Sequence, residues 1–181
     1  GNMYNQSLVS SLVANHGVDA TEEWARGFVA NFARKPEGND RAQIMAVANG
    51  EADIAVANSY YIGLMLSGKK GEEQQAAANK VMLHFPGQDG RGAHINVSGA
   101  GVLKNSPNPD NAVKFIEFLL SAEAQNHIVN NTYEYPMHSD VEPSALIAQF
   151  GTGFKEDQTA VANYGKFNPD AVKLMDRAGW Q

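Results

Sequence analysis

The sequence contains no cysteine among its 181 residues. Disulfide bonds, thiolate metal ligands and cysteine nucleophiles are therefore excluded, although cytosolic and exported chains can both lack cysteine. It also has no apolar run near the roughly 18 residues that indicate a membrane span. Basic residues are few as well: 14 Lys and Arg stand against 20 Asp and Glu, a net charge of −6. Without a basic stripe, nucleic acid is not favoured as a partner.

The hydrophobic periodicity and the positions of glycine, proline and capping residues favour an α/β fold. Such a fold has a central mixed sheet flanked by helices. Helices are predicted where Gly17 ends an apolar repeat, and where Asp19, Asp40, Asn108 before Pro109 and Asn168 before Pro169 offer N-terminal caps. A further short helix is predicted near 144–150. Three stretches with strand composition separate the helices. They are residues 52–58, 81–85 and 93–103.

Two adjacent tyrosines follow the first of these strands, in "ANSYYIG" at 57–63. Neighbouring side chains of a strand point to opposite faces, so the pair serves one site only if the strand has ended. If a helix begins at Ser59, Tyr60 and Tyr61 project about 100° apart and their phenol oxygens can converge. Such a pair suits Fe(III), because a hard, highly charged cation favours phenolate oxygen. The spacing alone also allows one tyrosine in the core and the other on the surface.

Longer motifs resemble a known family. "YNQSLVSSLVANHG", "EEWARGFVANFARKPEGNDRAQIMAVANGEADIAVANSYY", "PGQDGRGAHINVSGAGVLKNSPN" and "MDRAGW" are similar to the ferric-ion-binding periplasmic proteins of bacterial ABC transporters, along essentially the whole chain. The resemblance implies a type II periplasmic-binding-protein fold. It also implies a substrate-binding component, not an enzyme, that captures Fe(III) in the periplasm and delivers it to an inner-membrane ABC permease.

The resemblance further implies a ligand set for the ferric ion. Tyr60 and Tyr61 match the adjacent tyrosines of the family, and Tyr4 matches a third tyrosine in the "YNQSL" segment, just before a helix. An exogenous anion such as carbonate or citrate would complete the coordination.

Four other residues are weaker candidates for contacts behind the ligands or with an anion. Arg91 could donate to an anion or be a solvated loop arginine. Asn58 could bind a ligand oxygen or cap the following helix, and Gln6 and Ser7 lie near the family's site but equally suit capping of the first helix.

The family's proteins have two lobes with iron between them, and this chain starts near "YNQSL". It is therefore expected to be the C-terminal lobe of such a protein, without the N-terminal portion. Residues 1–90 would form the main part with the tyrosine site, residues 91–139 an excursion belonging to the missing lobe, and residues 140–181 the returning helices. The strand at 93–103 would then present a free edge, which predicts disorder, rearrangement or a swapped homodimer.

The residues are also compatible with two other functions. A related periplasmic receptor for another anion or a small polar solute could use the tyrosines for stacking or hydrogen bonding. A small α/β enzyme could use a tyrosine as general acid or base, but it would need a partner of shifted pKa, which the sequence does not supply.

Overall fold

A computed structural model of the chain describes residues 2–159 and 161–180. These residues form nine helices and one isolated parallel bridge. The helices are α1 (Met3–His16), α2 (Val18–Ala30), α3 (Asp40–Ala48), α4 (Ser59–Leu66), α5 (Glu72–Ala78), α6 (Pro109–Leu119), α7 (Ala122–Thr132), α8 (Ala145–Ala148) and α9 (Ala162–Arg177).

Several helix ends lie where the sequence predicts them. Gly17 ends α1 with φ +82°, a conformation that glycine adopts without steric cost. Pro109 is the first residue of α6, where its missing N–H costs nothing. The predicted helix near 144–150 is present as α8.

Two predicted caps are wrong. Gly17 both ends α1 and precedes α2, so Asp19 lies inside the first turn of α2. In α3 the cap is Asn39, whose side chain accepts a hydrogen bond from the backbone nitrogen of Ala42 at 3.3 Å. Asp40 is consequently the first helical residue, and its carboxylate is available for a different contact.

The predicted start of the last helix is also wrong. α9 begins at Ala162 and continues through Pro169. Buried Tyr164 lies before this proline and buried Ala171 after it, so both halves of the helix contribute to one core face. A proline inside a helix crowds the carbonyl four residues earlier, and that residue is Gly165.

The three predicted strands do not form among the described residues. The one bridge joins Ala93 to Glu156: the Ala93 nitrogen donates to the Lys155 oxygen and the Asp157 nitrogen to the Ala93 oxygen, both at 2.8 Å. A strand needs a neighbouring strand for its backbone groups, and in the described chain these segments have none beyond the bridge at Ala93. Several of their apolar side chains are exposed, as at Ile54, Met82 and Leu103, whereas others are half-buried or buried. The central mixed sheet is therefore not confirmed.

The helices divide between two compact units. Unit 1 comprises Gly1–Lys35, Phe85–Ser98 and Phe154–Gln181, and unit 2 comprises Pro36–His84 and Gly99–Gly153. Each unit has its own apolar core. The core of unit 1 is built on Val9, Val13, Ala25, Ala171, Leu174, Met175 and Trp180. The core of unit 2 is built on Ile44, Ile62, Met65, Ala77, Ala78, Tyr133 and Ile147.

In unit 1 an aromatic row on α2 packs against the end of the chain. The rings of Trp24 and Phe28 stack with centroids 5.1 Å apart, and the Phe28 ring lies 4.9 Å from that of Trp180. The aromatic face of α2 thus packs against the unit 1 core through Phe28 and Phe32, although Trp24 is 41% exposed.

Glu22 ties α2 to α9 on the surface of unit 1. Its carboxylate accepts hydrogen bonds from Arg26 at 2.6 Å and from the Nε of Arg177 at 2.9 Å. Hydrogen bonds from Arg177 and then Arg26 lower the pKa of Glu22 from 4.5 to about 2.

We expect Arg177→Ala to raise the pKa of Glu22 towards 4.5, because the larger of the two stabilising contacts is lost. Since folding lowers this pKa, the pair stabilises the fold above pH 4.5, and that contribution fades as the pH falls towards 2. The ¹³C shift of the Glu22 carboxyl followed against pH measures this change. Lys173→Ala, which removes the same charge one turn earlier in α9, is the control. A Glu22 pKa that does not move in Arg177→Ala would contradict the prediction.

Across residues 2–159 and 161–180, none of the helices combines the length and the apolar character needed to cross a membrane.

Candidate functional site

The tyrosine pair lies in the first turn of α4, in unit 2. The helix begins at Ser59, so Tyr60 and Tyr61 are its second and third residues. Their ring centroids are 4.4 Å apart with 37° between the ring planes. Both tyrosines are half-buried and pack against the unit 2 core, so neither is the isolated surface residue that the sequence also allowed. The structure thus brings the two phenols together, whereas their role as iron ligands remains a prediction.

The amino end of α4 is held by a carboxylate from α3. Asn58 is the N-cap residue of α4, and its side chain makes no capping bond to the helix. The Oδ2 atom of Asp40 instead accepts hydrogen bonds from both the backbone nitrogen of Asn58, at 2.7 Å, and its side-chain nitrogen, at 2.8 Å. Asn58 therefore occupies the predicted capping position, with its amide engaged by Asp40.

α4 also packs closely on Tyr133, the residue that follows α7, and on α8. Gly63 faces Tyr133 and Ile147: a Cβ atom added to Gly63 would lie 2.7 Å from the Cβ of Tyr133 and 2.9 Å from the Cδ1 of Ile147. Tyr133 ends α7 with φ +65°, an uncommon conformation for a residue other than glycine, and is 3% exposed. Because Gly63 has no side chain, Tyr133 packs directly against α4.

Tyr4 belongs to unit 1. It is the second residue of α1, not a residue preceding that helix, and its backbone nitrogen donates to the Asn2 side chain at 3.0 Å. The side chain is 38% exposed. Tyr4 therefore presents a phenol in the first turn of a helix, as Tyr60 and Tyr61 do in unit 2. Its inclusion in one ligand set with them remains a prediction.

The neighbours of Tyr4 on α1 contact other parts of unit 1. The Ser7 hydroxyl lies 2.9 Å from the Tyr4 carbonyl oxygen, 2.7 Å from Asn96 Oδ1 and 3.3 Å from His94 Nε2. Gln6 Oε1 accepts a hydrogen bond from Asn168 at 3.2 Å. These bonds connect α1 to the 93–98 segment and to α9.

Arg91 is paired inside unit 1. Its guanidinium forms an ion pair with Asp157 and donates to the Ser11 hydroxyl at 3.2 Å. Asp157 is buried; burial raises its pKa, but hydrogen bonds from Thr159 and the charge of Arg91 outweigh that effect and hold the pKa below its usual value. Arg91 is therefore not the solvated loop arginine that the sequence allowed. Its role as an anion donor remains a prediction.

His94 lies close to this pair. Its ring centroid is 5.0 Å from that of Tyr164, and burial lowers the pKa of the imidazole. In the described part of the chain, no group of three or more His, Asp or Glu side chains is arranged to hold a metal ion.

Sequence reasoning missed Asp40 as part of the tyrosine site. It lies 18 residues before Asn58, and the contact joins two helices that the chain connects through an extended segment. Its position in "GNDRAQ" indicates a helix start and nothing more.

Each of the two compact units thus carries tyrosine in the first turn of a helix, Tyr4 in unit 1 and Tyr60 and Tyr61 in unit 2. The chain matches the family of bacterial extracellular solute-binding proteins over residues 8–126, and it belongs to that family.

Individual relatives carry more specific names. Iron uptake protein A1 of Synechocystis sp. is 51% identical over 180 residues, which cover 99% of this chain and 49% of the relative. The major ferric iron-binding protein of Neisseria meningitidis is 35% identical over 133 residues, 74% of this chain and 38% of the relative. These names describe uptake and binding, not catalysis.

The chain is also similar to solved structures of iron-binding proteins. A structure described as Trichodesmium IdiA (FutA) in complex with iron and citrate ligands has a TM-score of 0.95 and 53% identity, covering 99% of this chain and 56% of that one. A ferric binding protein from Campylobacter jejuni has a TM-score of 0.91 and 43% identity, covering 97% and 55%. The similarity agrees with an α/β lobe of a type II periplasmic binding protein. The chain spans about half the length of these relatives.

Proposed function

We propose that the chain forms the Fe(III)-binding lobe of a periplasmic substrate-binding protein that delivers iron to an ABC permease in the inner membrane. The observation that carries this proposal is the Tyr60–Tyr61 pair at the start of α4, with ring centroids 4.4 Å apart. Relatives named for iron uptake and for ferric iron binding support it.

The chemistry of the pair suits a ferric ion. Phenol oxygen is a hard donor, and a bound trivalent cation supplies the energy to deprotonate groups whose unperturbed pKa is about 10. Three phenolates, from Tyr4, Tyr60 and Tyr61, would balance the charge of Fe(III). Three phenolates are fewer than the roughly six ligands that an octahedral ion takes. An exogenous anion such as carbonate or citrate would complete the shell, and a structure of a relative contains both iron and citrate.

The rest of the longer protein would supply the second lobe. None of the residues of α6, all of them described, is buried, and its apolar side chains Phe115 and Phe118 are exposed. Exposed apolar faces of this kind mark surfaces that another element covers. We expect residues 91–139 to pack on that lobe, whereas residues 1–90 and 140–181 form the lobe that carries the tyrosine pair. We expect the extended segments to join a mixed sheet.

In the isolated chain, a second copy would take the place of the other lobe at these surfaces. An extended segment with unpaired backbone groups recruits another copy when its own partner is lacking. We therefore expect the 181-residue chain to form a swapped homodimer. Its mass by sedimentation equilibrium, alone and mixed with the remaining half of a longer protein, checks this expectation.

Capture would proceed by hinge closure of the two lobes over the ion. Closed coordination by anionic oxygens makes release the slow step. Protonation of the phenolates or reduction to Fe(II), which gains less from three phenolates, would open the site.

The experiment that tests the proposal is a visible-absorption titration of the chain with ferric citrate. We expect a phenolate-to-iron charge-transfer band that weakens in Tyr60→Phe, Tyr61→Phe and Tyr4→Phe. Tyr135→Phe is the matched control, because burial raises the pKa of Tyr135 to about 12 and keeps that phenol protonated. If the chain shows no band even when joined to the remaining half of a longer protein, the proposal fails. A receptor for another anion or polar solute then becomes the better explanation.

A further inference from the structure

The carboxylate of Asp40 contacts the starts of two helices in unit 2. It is the first residue of α3, and its Oδ2 atom accepts two hydrogen bonds from Asn58, the residue that precedes α4. Both residues are half-buried, so water competes only partly for these bonds. One carboxylate oxygen therefore accepts from both the backbone amide and the side-chain amide of the residue that precedes α4.

This contact acts on the tyrosine pair through the backbone. Tyr60 follows Asn58 by two residues and Tyr61 by three, within the same helical turn. The conformation of Asn58 sets the direction in which α4 departs, and thereby the direction of both phenol rings. A hydrogen bond to a charged acceptor is about twice as strong as a neutral one, so two such bonds hold that direction firmly.

The same contact has an electrostatic consequence. The first four amides of a helix lack partners within the helix, and together with the helix dipole they attract negative oxygen. Inorganic oxyanions bind at such positions in many proteins. In this chain the backbone and side-chain amides of Asn58 already donate to Asp40. The negative charge at this end of α4 is thus supplied by the protein.

We propose that Asp40 is a positioning residue for Tyr60 and Tyr61, and that its carboxylate occupies the two amides of Asn58, so that ferric binding by the pair needs no external oxyanion on those amides. This inference rests on the proposed function and deepens it. An anion that completes the iron shell would accordingly bind the ion itself, not the Asn58 amides.

Two substitutions separate the geometric effect of Asp40 from its charge. Asp40→Asn keeps an oxygen acceptor at the same place and removes the charge, whereas Asp40→Ala removes both. Asp110→Asn is the matched control, because Asp110 also lies in the first turn of a helix, α6, and loses the same charge.

The first readout is the phenolate-to-iron band during a ferric citrate titration, with and without inorganic phosphate. We expect Asp40→Ala to bind iron at least about tenfold more weakly and to show a shifted band, since loss of a group that orients a metal ligand costs about 10–100-fold. We expect Asp40→Asn to keep the band position but to bind iron more tightly when phosphate is added. Each value is taken relative to Asp110→Asn at the same phosphate concentration, so that competition of phosphate for iron cancels.

The second readout needs no iron. Phosphate is added to ¹⁵N-labelled chain, and the backbone and side-chain amide signals of Asn58 are followed by NMR. We expect no saturable shift in the unmodified chain or in Asp110→Asn, and a saturable shift in both Asp40 variants.

The two readouts distinguish failure of this inference from failure of the proposed function. If the unmodified chain gives no iron band, the proposed function is in question, and the NMR titration still decides whether Asp40 excludes an anion. Equal phosphate shifts at Asn58 in the unmodified chain and in Asp40→Asn overturn the inference. So does an Asp40→Ala variant whose iron affinity and band position equal those of Asp110→Asn.

Discussion

Gly92→Ala should lower the free energy of unfolding of the chain by about 3 kcal/mol or more. A Cβ atom at this position would lie 2.5 Å from the carbonyl carbon of Glu156, 2.6 Å from its oxygen and 2.7 Å from the oxygen of Lys155. All three are backbone atoms, so no side-chain rotation relieves the contact. Gly92 also has φ +97°, which strains any L residue. Relief requires the two segments to separate, and this breaks the bridge between Ala93 and Glu156.

Gly17→Ala separates the two contributions to this effect. Gly17 has φ +82°, but an added Cβ atom there meets nothing within 4 Å. Gly17→Ala should therefore lower the free energy of unfolding only by the backbone strain, about 1–2 kcal/mol. Urea unfolding of both variants, followed by circular dichroism, measures the difference. If Gly92→Ala is no less stable than Gly17→Ala, the close backbone approach at Gly92 does not matter for stability.

The sequence predicts helix ends well where the signal is local. Gly17 can end α1 and Pro109 can start α6 because each acts through its own backbone geometry. Pro169 is a counterexample: its local signal indicates a start, but the shared core face of α9 extends the helix seven residues earlier. α5 was missed because Glu72–Ala78 contains only polar residues and alanine, which give no apolar repeat.

Strands depend on partners that the local sequence does not specify. The stretch at 93–103 has the composition of a strand, yet in the described structure only Ala93 makes a bridge. Backbone pairing needs a second segment in register, and the relatives that this chain matches are about twice as long. Strand composition alone therefore could not establish the sheet.

For the candidate site, the sequence located the tyrosines but not what holds them. The pattern "NSYY" allowed a helix that starts at Ser59, and in the structure Ser59 is the first residue of α4, with Asn58 at the capping position. Nothing in the pattern relates Asp40 to Asn58, because that contact depends on how α3 and α4 pack together. Ligand types can be predicted from short motifs, whereas the groups that orient them come from tertiary structure.

Gly63→Ala should weaken ferric binding and destabilise the chain together, because α4 carries both the tyrosine pair and this close contact. An added Cβ atom would lie 2.7 Å from the Cβ of Tyr133 and 2.9 Å from both its Cγ and the Cδ1 of Ile147. Tyr133 is 3% exposed and Ile147 is fully buried, so neither side chain can relieve the contact by moving into solvent. We expect a loss of about 2 kcal/mol in the free energy of unfolding, typical of overpacking. We also expect iron affinity to fall about tenfold or more as α4 shifts.

Gly27→Ala is the matched control for this prediction. Gly27 lies inside α2, and a Cβ atom added there meets nothing within 4 Å. Alanine is the better helix former, so this variant should gain about 0.5–1 kcal/mol and leave the iron band unchanged. Urea unfolding and the ferric citrate titration, run on both variants, test stability and binding separately. If Gly63→Ala loses stability but keeps its iron affinity, the contact supports the core alone, and the orientation of the pair depends on the amino end of α4, where Asp40 holds Asn58.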